Sequence, residues 1–244
     1  MTDAASGGVS DPQRFEQSAG RYGDDLAARR SSFVALCREA QGCRRCAAME
    51  GRRRVLSAAN GRPGAQVMFI GEAPGRHGGE RTGVPFSGDQ TGRNFTALLA
   101  LTNLPRDDVF ITNAILCNPR DERGRNRAPR GEELRSCRSL LARQVAVVDP
   151  PVVVPLGVAA LAALNAIEPH GLRLREAVGR GYRWAGRVLV PLYHPGPRAQ
   201  LHRPFAVQRE DFIALAGIVR AVRSGTFERA GTFDRVGGPE GGML

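Results

Sequence analysis

Between residues 71 and 89 the chain gathers Glu72, His77, Glu80, Phe86 and Asp89 in a stretch broken by Gly at 71, 75, 78, 79, 83 and 88 and by Pro at 74 and 85. A carboxylate can hold a water or offset a developing cation, and an imidazole can give or take a proton. The one aromatic ring among them offers a flat wall. Together these types suit chemistry on a flat ring. The plainer alternative is an ornate strand-to-helix connection, because a glycine-rich motif alone is a weak signal.

The elements that must hold these residues follow from periodicity. The apolar run VMFI at 67–70 reads as a buried strand feeding the loop. Residues 109–116, 152–156 and 187–194 read the same way, with Asn113, Gly157 and His194 at or near their ends. Helices are predicted over 24–40, 91–103, 131–148, about 157–167 and 205–223, each with apolar positions on one side. Strands alternate with helices, and the strands are short continuous apolar runs. The fold class is therefore α/β, a three-layer α/β/α sandwich around a central four-stranded parallel sheet. The C-terminal strand ends of such a sheet share one rim, where ligands bind. Glu72, Asn113 and His194 then converge. Alone, the Asn reads as a turn residue and the His as a structural one; convergence is what makes them candidates. Residues 1–22 read as a disordered leader, 23–223 as a single domain and 224–244 as a disordered tail.

All 35 basic residues are Arg, and the net charge is +11. Genome bias accounts for the missing Lys but not for the excess over acids. That excess favours a polyanion such as nucleic acid, whose phosphates match the guanidinium fork. Without Lys, no side chain can form a Schiff base. No apolar run reaches the roughly 18 residues of a membrane span, and the N-terminus lacks a basic segment followed by an apolar one. A cytoplasmic protein without a membrane anchor is expected.

Five Cys stand at 37, 43, 46, 117 and 137, an odd count that argues against a disulfide framework. Cys43-x2-Cys46 with Cys117 and Cys137 gives four thiolates, enough for a 4Fe–4S cluster or for zinc. Cys37, in the middle of a predicted helix, reads as a small buried hydrophobe.

The chain resembles the iron–sulfur-containing bacterial and archaeal uracil-DNA glycosylases, families four and five, over about residues 40–220. The resemblance rests on Gly71-Glu-Ala-Pro-Gly75 with Pro85-Phe86, on Ile111-Thr-Asn-Ala114 followed by Cys117, on Arg127-Ala-Pro129 and Glu133 before Cys137, on Leu156-Gly157 and on Tyr193-His-Pro195. Gly-Glu-Ala-Pro-Gly and Pro-Phe are more like family four. Residues 76–83 and Ser87-Gly-Asp89 are more like family five, so the patterns are mixed.

The resemblance implies a monofunctional DNA-repair glycosylase that hydrolyses the N-glycosidic bond of uracil, with hypoxanthine, xanthine or damaged cytosine as further bases, and leaves an abasic site. Such an enzyme flips the base out of the stack. Phe86 would stack on it, Asn113 would read its O4 and N3 edge, and His194 would donate to O2 of the leaving anion. Glu72 is the first choice to position water, Asp89 the second, with His77 assisting. Backbone N–H groups around Gly71 and Ala73 would add donors. Among the cofactors, the resemblance favours the 4Fe–4S cluster on Cys43, Cys46, Cys117 and Cys137. Arg198, Gln200 and Leu201 are candidates for a wedge in the minor groove, and Arg120, Arg123, Arg125 and Arg127 for phosphate contacts. A monomer is expected. The alternative function is an iron–sulfur DNA-binding module without glycosylase activity. A zinc deaminase is excluded, since no His-x-Glu precedes a Pro-Cys-x-x-Cys.

Overall fold

The computed structural model describes residues 12–227. Residues 1–11 of the predicted leader and 228–244 of the predicted tail lie outside the described residues, while α1 begins at Pro12, inside the predicted leader, and runs to Gln41. The order continues β1 (Val67–Gly71), α2 (Gly79–Thr82), α3 (Gln90–Ala100), β2 (Val109–Asn113), α4 (Gly131–Val148), β3 (Val152–Pro155), α5 (Val158–Asn165), α6 (Leu174–Ala177), β4 (Tyr182–Trp184), β5 (Arg187–Leu189) and α7 (Phe205–Arg223).

The sheet has five strands in the order β2-β1-β3-β5-β4. Its first four are parallel, as expected, while β4 adds an antiparallel edge. The expectation missed β4. Ala185 and Gly186 join it to β5, both at positive φ, the conformation that matches the twist of a two-residue hairpin. Ala rarely takes that conformation, so the turn carries no Asn-Gly signature. β5 also ends earlier than expected. Pro191 has no N–H to donate, but Leu192 resumes pairing as a single bridge to Leu156.

Alternation along the strands builds the two apolar layers. Met68 and Ile70 face a core closed by Phe33 and Leu36 of α1, Leu140, Leu141 and Val145 of α4, and Leu161 and Leu164 of α5. Val67 and Phe69 face the opposite way onto Phe95 and Leu98 of α3 and Phe212 and Leu215 of α7. The central strands are buried on both sides, which is why their sequences show no polar alternation. The result is three layers with β1 in the interior, its C-terminal end opening onto the glycine-rich loop.

Candidate active site

Strand register brings the first candidates together. Gly71 pairs with Asn113 across β1 and β2. A methyl group at Gly71 would sit 2.5 Å from Asn113 Oδ1 and 2.8 Å from Phe86 Cζ, so only glycine leaves room for both. Asn113 is 3% exposed, and its amide makes no hydrogen bond within the protein among the described residues. Buried amides are ordinarily satisfied, so this one is set up for a partner that enters.

Phe86 takes φ 49°, a strained value for a non-glycine residue. Close packing holds it there. Its carbonyl oxygen lies 2.6 Å from where a Cβ on Gly92 would stand, and its ring packs 4.7 Å from Phe95. The Phe86 ring also lies 5.7 Å from the His194 ring between centroids, tilted by 43°.

His194 Nδ1 accepts a 3.0 Å hydrogen bond from the Gly196 N–H. The ring proton must then sit on Nε2, which makes that nitrogen a donor. Burial pushes the imidazole pKa down to about 4, against the opposing pull of the Asp89 carboxylate. His194 is thus a neutral donor at neutral pH. The loop that carries it is clamped by Asn94 of α3, whose Nδ2 donates to Pro195 O at 2.7 Å. Sequence reasoning missed Asn94, which carries no local signature.

The two candidate carboxylates separate clearly. Asp89 caps α3, its Oδ1 accepting from Gly92 N at 2.9 Å. Its Oδ2 lies 2.9 Å from where a Cβ at Gly75 would stand and closer still to one at Gly78, where the Ser87 carbonyl closes in as well, so Gly78 needs to be glycine. Glu72 makes no side-chain hydrogen bond or ion pair among the described residues, is half-buried, and is held above the usual carboxylate range by desolvation. Glu72 thus leaves both carboxylate oxygens without a protein partner among the described residues, whereas Asp89 spends one on its cap. His77 is not brought into this group: its ring is exposed, with Nε2 against the Arg76 guanidinium at 2.8 Å. Gly71, Phe86, Asn113 and His194 come together, with Glu72 next in the chain, whereas Ala73 packs toward Met49, Ile115, Cys117 and Cys137.

Residues 118–130, read as an arginine loop reaching for phosphates, form a short hairpin closed by the Arg120–Asn126 bridge. Three of its arginines pair within the protein. Arg120 pairs with Glu80, and Arg127 forks onto Glu133 at 2.8 and 2.5 Å, holding that carboxyl below its ordinary range. Arg125 pairs with Asp121, and Arg123 stays exposed. Beyond His194, Arg198 and Leu201 are exposed, Leu201 by 83%, around the single turn Ala199–Leu201, while Gln200 is half-buried.

The cysteines form a second site. Cys43, Cys46, Cys117 and Cys137 line one pocket with Arg45, Met49, Arg54, Ile115, Glu133 and Ser136. All are free thiols; burial pushes Cys117 up to about 12 and raises Cys137. Arg54 donates to Arg52 O and Cys43 O, while its buried Nε has no partner. A cationic group with an orphaned donor beside four sulfurs fits an occupant carrying negative charge. Among the described residues, no three His, Cys, Asp or Glu side chains stand close enough to chelate a single metal ion. Cys37 packs against the main core, with its thiol raised by burial, as a small hydrophobe would.

Comparison with known proteins agrees with this geometry. The family model of the uracil DNA glycosylase superfamily matches residues 58–215. The chain is 34% identical over 174 residues to the Type-4 uracil-DNA glycosylase of Archaeoglobus fulgidus, covering 69% of this chain and 83% of that protein. It is 30% identical over 189 residues to the Type-4 uracil-DNA glycosylase of Sulfurisphaera tokodaii, covering 74% and 82%. With the Type-5 uracil-DNA glycosylase of Pyrobaculum aerophilum it shares 39% over 153 residues, covering 54% and 62%. Matches to both types accord with the mixed motifs of the glycine-rich loop. The matched span holds every residue of the rim, and the chain belongs to the uracil-DNA glycosylase superfamily.

Proposed function

We propose that the protein is a monofunctional uracil-DNA glycosylase of DNA repair, hydrolysing the N-glycosidic bond of uracil to leave an abasic site. The observation that carries this reading is the unpartnered, 3%-exposed Asn113 amide, flanked by the Phe86 ring and by the neutral Nε2–H donor of His194. A flipped uracil would stack on Phe86, pair its O4 and N3–H with Asn113, and present O2 to His194. As the bond breaks, negative charge grows on the base and positive charge on the sugar. His194 and the backbone N–H groups of 71–75 stabilise the first. Glu72 offsets the second and orients the attacking water. Leu201 is the leading wedge residue, since it is apolar, exposed and carried on the loop after His194. The substrate is DNA, met by a monomer in the cytoplasm; among the described residues no helix is long and apolar enough to cross a membrane.

The test uses fluorescent duplexes carrying one uracil or one hypoxanthine, followed by alkaline cleavage of abasic sites. Strand cleavage at uracil is expected, reduced at least about 100-fold in Glu72→Gln. Cleavage at hypoxanthine but not at uracil would overturn the base assignment.

We further propose that Cys43, Cys46, Cys117 and Cys137 hold a 4Fe–4S cluster. Four sulfurs lining one pocket supply the thiolate set of such a cluster, and the resemblance to the iron–sulfur-containing families favours it over zinc. When bound, the group would cross-link the end of α1, the loop after β2 and α4. A broad absorption band near about 400 nm is expected, and Cys137→Ser should abolish it. A colourless, zinc-containing protein would refute the cluster.

A further inference from the structure

The end of β1 leaves the sheet at Gly71, and Glu72 must then be fixed by what the following backbone bonds to. Gly71 O accepts from Ala114 N at 2.8 Å and Glu72 O from Ile115 N at 3.2 Å, extending the pairing with the β2 chain. Beyond Glu72 two side-chain amides take over. Asn118, 1% exposed, donates from Nδ2 to Pro74 O at 2.7 Å and also to Asn126 Oδ1 at 3.0 Å, while its own Oδ1 accepts from Arg120 Nε at 2.8 Å. Asn126 Oδ1 accepts in turn from Arg76 N at 3.1 Å. The carbonyl of Pro74 and the N–H of Arg76, on either side of Gly75, are thus held by one pair of amides.

The hairpin of 118–130 makes this pair rigid. Asn126 stands across the bridge from Arg120, whose guanidinium pairs with Glu80 on the same glycine-rich loop. Arg76 Nη1 adds a 2.8 Å bond to Gly124 O. The hairpin is docked onto the loop by its own backbone and side chains.

We propose that Asn118 and Asn126 form an amide relay that positions the Glu72 loop for water attack, making both positioning residues for glycosidic cleavage. The inference rests on reading Glu72 as the water-holding carboxylate. Displacing a reacting group by about 1 Å can lower a rate on the order of 100-fold, so a loosened loop has a large kinetic signature. Asn126 is the informative member. Its side chain is exposed, so truncation leaves no core cavity, and it acts in the relay only through Oδ1. Aspartate keeps that acceptor, and alanine removes it.

The experiment measures single-turnover cleavage of a uracil duplex by wild type, Asn126→Ala, Asn126→Asp, Glu72→Gln and the Glu72→Gln/Asn126→Ala double variant, with half-saturation and melting recorded alongside. Asn126→Ala is expected to lower the maximal rate about 10- to 100-fold, with half-saturation and melting close to wild type. Asn126→Asp should restore the rate to within about threefold. In the Glu72→Gln background, Asn126→Ala should cost little more, because positioning a missing group has no effect. A fully active Asn126→Ala beside an impaired Glu72→Gln would overturn the relay alone. So would Asp behaving like Ala, or a full additional loss in the double variant. A fully active Glu72→Gln would instead remove the reading of Glu72 and the relay with it.

Discussion

Asn113→Asp should lower uracil excision about 10⁴-fold and open a weak activity on cytosine. The Asn113 amide presents one donor and one acceptor side by side, matching uracil O4 and N3–H. Aspartate keeps an acceptor and loses the donor, leaving two oxygens against O4. A site built to hydrogen-bond a substrate group discriminates by about 10⁴ to 10⁵ when the match is broken, because the buried polar atoms go unpaired. Cytosine reverses the pattern, with an amine at position 4 and an acceptor at N3. The ionised carboxylate of the variant accepts from that amine while it repels uracil O4, so the preference shifts toward cytosine and the unmatched N3 keeps the new activity weak. The measurement is single-turnover cleavage of matched duplexes carrying uracil or unpaired cytosine at one position. Unchanged uracil excision in the variant would end the edge-reading role.

The second large effect belongs to His194. His194→Ala should reduce the maximal rate about 10²- to 10³-fold, the usual cost of deleting one donor aimed at a developing anion. Affinity for the abasic product should hardly change, since the donor works mainly on the departing base. The same residue makes a pH prediction with a definite sign. Its folded pKa of about 4 lies below the ordinary 6.5. As pH falls through that window the unfolded chain takes up a proton that the folded imidazole refuses, so stability declines between about 6.5 and about 4 and falls no further for this group below it. The decline should be absent in His194→Ala, as read from denaturant midpoints across pH. An equal decline in the variant would assign the effect elsewhere.

The legible parts of the fold were those written in continuous apolar runs. Residues 67–70, 109–113 and 152–155 are buried on both faces and their sequences say so. The β4 hairpin was not legible, because its turn uses Ala185 at positive φ and its strand is three residues long. At the site, Glu72, Asn113 and His194 were visible as polar residues ending apolar strands, and the parallel register does bring the rim together. The sequence did not separate Glu72 from Asp89. That distinction depends on Asp89 Oδ1 reaching the Gly92 N–H, a cap that shows in sequence only as an Asp shortly before a helix. The pairing of the arginines at 118–130 was hidden for a related reason. Their composition reads as a phosphate contact, while their partners, Glu80 and Glu133, lie 40 and 6 residues away from Arg120 and Arg127 respectively. Net charge does not reveal which cations are already paired.

The Gly196 N–H on His194 Nδ1 has a consequence for which bases leave easily. With the Gly196 N–H on Nδ1 and the ring neutral, Nε2–H is the only ring proton, and a neutral imidazole gives up that proton only far above neutral pH, so as a donor His194 would stabilise a departing anion without protonating it. The barrier then follows the acidity of the base itself. A nucleobase that carries a full negative charge comfortably departs fast, and one that does not gains little from the same hydrogen bond. Selectivity in this enzyme would therefore have two independent parts, the edge pattern read by Asn113 and the leaving-group acidity filtered by a histidine that keeps its proton.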